Sequence, residues 1–240
     1  MKTILWLPTF ACSVMVTSLG AQGLVRFANP LQPLERISTN AVVGGPATGF
    51  IARNATAVYD FALFESTTAT LVGGTLSTAE SGYIPGATSY AFADPLWSLV
   101  DYGVNLNPVG RFIGDEQKAM GYTVVPGVPP GASAQFVVVG WSDNLGSTLG
   151  ELEASLENPV PGLTGFLGES AVSGPIVLGD NLASPPSLLF SPNGYPYLQG
   201  FTLGEFVPEP APLALAGLGG LLVWLVIAAS LPRSAGTRPK

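Results

Sequence analysis

Histidine is absent from the 240-residue chain, and cysteine occurs once, at Cys12. The first absence removes the commonest general base and the commonest metal ligand together. The second leaves no disulfide and, once an N-terminal leader is removed, no thiol nucleophile and no cysteine ligand for zinc. Charge is also scarce, since 9 Lys and Arg with 16 Asp and Glu make up 10% of the residues. Its placement is uneven. Lys2 lies at one end and Arg233, Arg238 and Lys240 at the other, leaving Arg26, Arg36, Arg53, Arg111 and Lys118 against every acid except Glu209. So acidic a middle repels phosphate backbones, and no nucleic acid is expected as a partner.

What the chain has in quantity is glycine and proline, 30 and 22 residues, in a composition that is 47% hydrophobic. That combination predicts many short strands joined by turns. Three parts are expected. Residues 1–21 read as a signal peptide: Lys2 supplies a positive charge, Ile4 to Val16 is largely apolar, and Gly20 and Ala21 suit signal peptidase. The competing readings are a first strand or helix of the domain, or a lipidated Cys12, although more apolar residues follow Phe10-Ala11-Cys12. Residues 22–206 form one domain of a size that buries a proper core. Residues 207–240 differ from both.

That last part holds Pro208-Glu209-Pro210, then an uncharged apolar run from Leu213 to Leu231, then Arg233, Arg238 and Lys240. The 19 residues from Leu213 to Leu231 would span roughly 28 Å as a helix, close to the ~30 Å hydrocarbon core of a bilayer. Basic residues directly after a span belong on the cytoplasmic side. A buried core helix is the other reading of the run, and its place beside a cationic flank fits it less well. The order of tripeptide, span and basic tail resembles the PEP-CTERM sorting signal of exported Gram-negative bacterial proteins. The tail here is more dilute than the compact arginine cluster of that family. The resemblance implies that Pro208, Glu209 and Pro210 are recognition residues for an exosortase-type transpeptidase, whose catalytic cysteine lies in the other protein. It implies a transient stay in the inner membrane, with the body outside the cytoplasm, and then release to the cell surface or extracellular matrix.

Within the body, Gly23 to Ala28 reads as a first strand ended by Asn29-Pro30, and residues 29–56 as loop with a short strand at Ala41 to Val43. Ala57 to Phe64 is a strand with Tyr59, Phe61 and Leu63 on one face and Asp60 interrupting the other. Signals from Ser77 to Asn107 are mixed. Tyr122 to Val125 is a strand, Pro126 to Gly131 a turn, and Ala134 to Trp141 a strand apolar on both faces and therefore buried on both. Ser142 to Ser155 holds one short helical turn, and Ser170 to Leu178 and Tyr197 to Leu203 are the closing strands. The expected fold is mainly β, an antiparallel, jelly-roll-like β-sandwich ectodomain followed by a single transmembrane helix. Residues 120–210, with Gly140-Trp141, Gly168-Glu169-Ser170-Ala171 and Leu198 to Leu203, also resemble a group of short exported PEP-CTERM proteins that carry no assigned activity. That likeness supplies no functional residues.

Chemistry-bearing patterns in the body are thin, and no cofactor is expected. Gly168-Glu169-Ser170 begins like a nucleophile elbow, but Val172 stands where the second glycine belongs and no histidine exists to activate the serine. Glu151, Glu153 and Glu157, with Asp180, are the carboxylates from which a polysaccharide-cleaving pair could be drawn. The plainer reading is a solvated face. Asp143, Asn144 and Glu151 offer oxygens to calcium at a spacing that matches no defined loop. Tyr83, Tyr90, Trp97, Tyr102, Tyr195 and Tyr197 either fill the core and its rim or present rings to sugars. The body is thus expected to be a non-enzymatic surface or matrix protein associated with extracellular polysaccharide. The alternatives are a carbohydrate-binding module built on loop aromatics and a carboxylate-based polysaccharide-active enzyme.

Overall fold

A computed structural model describes residues 21–30, 32–40, 47–52, 58–73, 90–160 and 162–206. The expected leader, apart from Ala21, and the whole of 207–240 lie outside the described residues, as does the short strand expected at Ala41 to Val43. Among the described residues no helix is long and apolar enough to cross a membrane. The strands in chain order are β1 (Gly23–Arg26), β2 (Ser38–Thr39), β3 (Gly49–Phe50), β4 (Tyr59–Ser66), β5 (Ser98–Leu106), β6 (Arg111–Gly114), β7 (Thr123–Val125), β8 (Ser133–Ser142), β9 (Gly165–Glu169), β10 (Ile176–Val177), β11 (Ser187–Leu188) and β12 (Thr202–Phe206). The helices are α1 (Asp115–Met120) and α2 (Leu149–Glu157). The protein is mainly β, and its sheets include a curled half-barrel.

The alternation of β8 decides where the core sits. Ala134, Phe136 and Val138 enter one buried cluster, while Val137, Val139 and Trp141 enter another on the opposite face. β4 does the same, with Tyr59, Phe61 and Leu63 on the first side and Ala62 and Phe64 on the second. The two strands pair antiparallel from Tyr59↔Ser142 to Ser66↔Gln135. Both are apolar on each side because each side is covered. Fully burying one such side chain is worth about 1.5–3 kcal/mol, so this pair anchors the fold. Around it the larger sheet runs β3-β2-β12-β9-β8-β4-β5-β6, with β10 also on β8, and a smaller sheet runs β11-β1-β7. Val25 and Phe27 from the β1 segment and Val125 from β7 close the first core, while Leu152 of α2, Leu145, Ala91 and Trp97 close the second.

The larger sheet curls so that the flanks of its two ends are tied at Gly110. The Gly110 amide donates to the Ile51 carbonyl at 2.6 Å and the Ile37 amide donates to the Gly110 carbonyl at 3.0 Å, joining the approach to β6 with the flanks of β2 and β3. Gly110 has φ +81°, and a Cβ there would lie 2.8 Å from Arg36 Cβ, so only glycine suits the seam. The fully buried Asn29 stitches it from within. Its Nδ2 donates to the Glu35 and Gly110 carbonyls at 2.7 and 2.8 Å, and its Oδ1 accepts the Phe112 amide at 2.8 Å. A buried amide so satisfied fixes a geometry, because each group left unpaired there would carry a desolvation cost.

Several expectations are corrected. Two pairings are parallel, β1 with β11 and β12 with β2. The loop assigned to 29–56 holds β2 and β3, and the mixed stretch before Asn107 ends in the nine-residue β5. β6 and α1 went unforeseen, and the single helical turn after Ser142 is a 3-10 turn followed by the nine-residue α2. The strand expected at Ser170 to Leu178 is instead β9 before it and β10 at its end. Between them the six residues 170–175 face only 135–138 of β8. Serine hydroxyls take up the slack: Ser170 Oγ accepts the Val138 amide at 3.0 Å and Ser173 Oγ accepts the Phe136 amide at 2.8 Å. The closing strand begins at Thr202, since Leu198 makes only an isolated bridge to Phe190 and Gly200 lies against the Arg36 backbone too closely for a side chain.

Candidate functional site

The sorting residues Pro208, Glu209, Pro210, Arg233, Arg238 and Lys240 lie outside the described residues. The described fold ends on β12 at Phe206, which is buried in the second core, two positions ahead of Pro208.

Of the carboxylates singled out above, Glu151 and Asp180 hold local backbone, while Asp143 opens the 3-10 turn before α2. Thr148 caps α2 by accepting the Glu151 amide at 3.3 Å, and Glu151 Oε2 accepts the Ser147 amide and hydroxyl at 2.8 and 2.9 Å. This reciprocal arrangement resembles a capping box and holds the Glu151 carboxyl below its ordinary range. Glu153 and Glu157 are one turn apart on the same helix, and the Glu153 charge, after burial, helps raise the Tyr102 phenol. Asn144 Nδ2 donates to the Thr164 carbonyl. Among the described residues no group of three or more acidic, histidine or cysteine side chains could hold a metal ion. Asp180 follows Leu178 of the first core, whereas α2 covers the second, so the central sheet lies between it and the three glutamates. Ser170 is buried, and its hydroxyl donates to the Ala171 carbonyl at 2.9 Å while it accepts from Val138.

The aromatic candidates separate by burial. Trp97 is in the second core with Nε1 donating to the Leu71 carbonyl at 3.2 Å, and the Tyr90 ring stacks on Phe92 at 5.2 Å. Tyr102 is partly exposed on β5, Tyr197 packs on the first core, and Tyr83 lies outside the described residues. Tyr195 stands apart at 80% exposure. The backbone that carries it is nevertheless tied down. Ser191 Oγ accepts the Asn193 amide, the Gly194 amide donates to Ser191 O and the Tyr197 amide to Gly194 O, closing the turn that carries it. The ring itself lies on Gly174, where a Cβ would come within 2.7 Å of the ring carbon Cζ.

Two hollows lie beside the turn that carries this tyrosine, and its ring lines the smaller. The larger, about 680 Å³, is walled by β10, the 179–188 loop and Pro196-Tyr197. The smaller, about 210 Å³, is lined by Tyr195 with Thr70, Gln135 and Val172. Pro175 lines both. Asp180 shapes the larger one: its Oδ1 accepts the Leu182, Ala183 and Ser184 amides at 2.8, 2.9 and 2.8 Å, and these bonds hold its carboxyl below the ordinary range.

Asp101 of β5 is 7% exposed and joins three elements. Its Oδ2 accepts Thr123 Oγ1 of β7 at 2.9 Å and the Glu116 amide of α1 at 3.3 Å, and its Oδ1 accepts the Tyr102 amide at 2.8 Å. Burial outweighs these bonds and raises its pKa to about 6. Reading the sequence for sites missed Asp101, because an aspartate in the middle of a run with mixed alternation looks like a strand breaker.

The chain matches no protein-family model, and no match to it is found among curated proteins or solved structures.

Proposed function

We propose that the protein is an exported, non-enzymatic component of the cell surface or extracellular matrix, associated with exopolysaccharide, whose body is a jelly-roll-like β-sandwich with mostly antiparallel pairings. The observation that carries this reading is the order Pro208-Glu209-Pro210, apolar Leu213 to Leu231, basic Arg233 to Lys240 at the end of a chain that opens with a leader-like segment. The leader starts export, the apolar helix halts it with the basic tail inside, and the tripeptide is offered to an exosortase-type enzyme at the outer face of the inner membrane. Two facing sheets with a shared first core support a sandwich-like body. The enzymatic reading draws little support from carboxylates that cap a helix or a loop, or from a buried Ser170.

The test is replacement of Pro208, Glu209 and Pro210 by alanine in a host that carries the processing enzyme. Full-length protein is expected to accumulate in the inner membrane fraction. Unchanged release of a shortened chain would refute the sorting role.

A further inference from the structure

We propose that the rim formed by Tyr195 and the two hollows meeting at Pro175 binds a neutral glycan chain, with the Tyr195 ring as its platform. A side chain that is 80% exposed ordinarily samples several rotamers, yet this ring rests on the Gly174 backbone at a distance that leaves no room for a Cβ. Gly174 is itself held, its amide donating to the Pro196 carbonyl at 2.8 Å. The result is a flat apolar surface seated against backbone at one edge and otherwise open to water, at the cost of keeping an aromatic ring solvated. A pyranose presents a face of C–H bonds that stacks on such a ring while its hydroxyls point outward to polar neighbours. Those neighbours are present in the hollows: Gln135 and Thr70 on one side, Ser184 and Ser187 on the other.

Charge selects the class of glycan. Among the described residues lining the hollows there is no Lys or Arg, and the single carboxylate, Asp180, has one oxygen filled by three amides of its own loop. With an acidic body around it, the rim has nothing to neutralise a uronate, sulfate or phosphate, and such ligands meet repulsion. An uncharged chain meets none. Proline along the walls adds rigidity, so little ordering is needed on binding.

This inference deepens the matrix reading and rests on it only for where the ligand is met. The two fail separately. Release without glycan binding would remove the inference alone, and binding without processing at Pro208-Glu209-Pro210 would remove the sorting role alone. The full-length chain, purified in mild detergent, is run in affinity gels containing hydroxyethylcellulose, dextran or galactomannan, with polygalacturonate as the anionic comparison. At least one neutral polymer is expected to retard the protein and polygalacturonate is not. Tyr195→Ala should weaken the retardation about tenfold or more, equivalent to about 1.4 kcal/mol, while Tyr195→Phe, which keeps the ring face, stays within about twofold of the parent. Because the ring is exposed, melting should change little in either variant; Gln135→Ala, expected to weaken binding several-fold, gives a second reading from the opposite wall. The proposal is overturned by no retardation in any neutral polymer, by equal retardation of parent and Tyr195→Ala, or by preference for polygalacturonate.

Discussion

Asp101 and Asp180 each accept three hydrogen bonds, yet their carboxyls move in opposite directions. Asp180 sits in a solvent-facing loop, where three amides on one oxygen favour the anion and lower its pKa. Asp101 has two amides and a hydroxyl, but its burial among β5, β7 and α1, with the Glu116 charge adding to the effect, lifts it to about 6. Hydrogen-bond number therefore does not set the ionisation of a carboxylate here. The water taken away does. The two sites differ in consequence as well, since Asp101 joins elements distant in sequence and Asp180 joins only its own loop.

The comparison is broken most severely at Asp101. Replacing it by alanine strands the Thr123 hydroxyl and the Glu116 and Tyr102 amides, and should cost about 3 kcal/mol, a fall of about 6–12 °C in Tm for a domain of this size. Asp101→Asn restores a carbonyl acceptor but sets an amide donor against another donor, so it should lose about half as much. Thermal unfolding followed by near-ultraviolet circular dichroism measures both. Equal stability of Asp101→Ala and the parent would show that the three bonds hold nothing together.

The second effect is one of pH. Because the folded pKa of Asp101, about 6, lies above the unfolded value of 3.8, the folded state binds the proton more tightly in that window. Its contribution to stability is complete below the unfolded value and is lost as pH rises through about 6. Allowing for screening, the loss is on the order of 1–2 kcal/mol. Burial raises Glu35 and Glu65 too, which act in the same sense. Asp180 and Glu151 act in the opposite sense, their contribution being present above the ordinary carboxylate range and lost as acid protonates them. Urea denaturation of the parent between pH 4.5 and pH 7 should show stability falling as pH rises, and Asp101→Asn should flatten that slope. A slope identical in both would exclude Asp101 as its source.

The same contrast explains which parts of the fold could be read from the chain. β4 and β8 were legible because their burial writes a pattern: Tyr59, Phe61 and Leu63 mark one face of β4, and in β8 residues of both parities are apolar, from which a two-sided core follows. β5 was not, since Asp101 and Gly103 interrupt its alternation for reasons that lie elsewhere, in Thr123, Glu116 and the closely paired Ile113-Gly114 backbone. Asn29 read as a strand ender beside Pro30, and its role in joining Gly110 to Phe112 depends on residues 81 and 83 positions away. The 170–175 segment looked like strand because its serines are compatible with one, whereas their hydroxyls replace ladder bonds to β8. At the candidate rim the sequence marked Tyr195 and Tyr197 as two of six rings, and only burial separated the exposed one from the core. Nothing in spacing foretold that Gly174 would lie under it.

The smallest expected effect is at Asp180, and its smallness is what makes it informative. Alanine there removes the acceptor of the Leu182, Ala183 and Ser184 amides, but all three can turn to water, because residues 181–185 are exposed and Leu182 is 94% exposed. Global melting should therefore stay within about 2 °C of the parent, as for other surface changes. Local opening should not: amide hydrogen exchange at 182–184 should quicken by about tenfold or more, while exchange at Val137 to Val139 in β8 keeps its parent rate. If Asp180→Ala instead lowered Tm as much as Asp101→Ala, the loop would be part of the cooperative core, and burial would no longer separate the two sites.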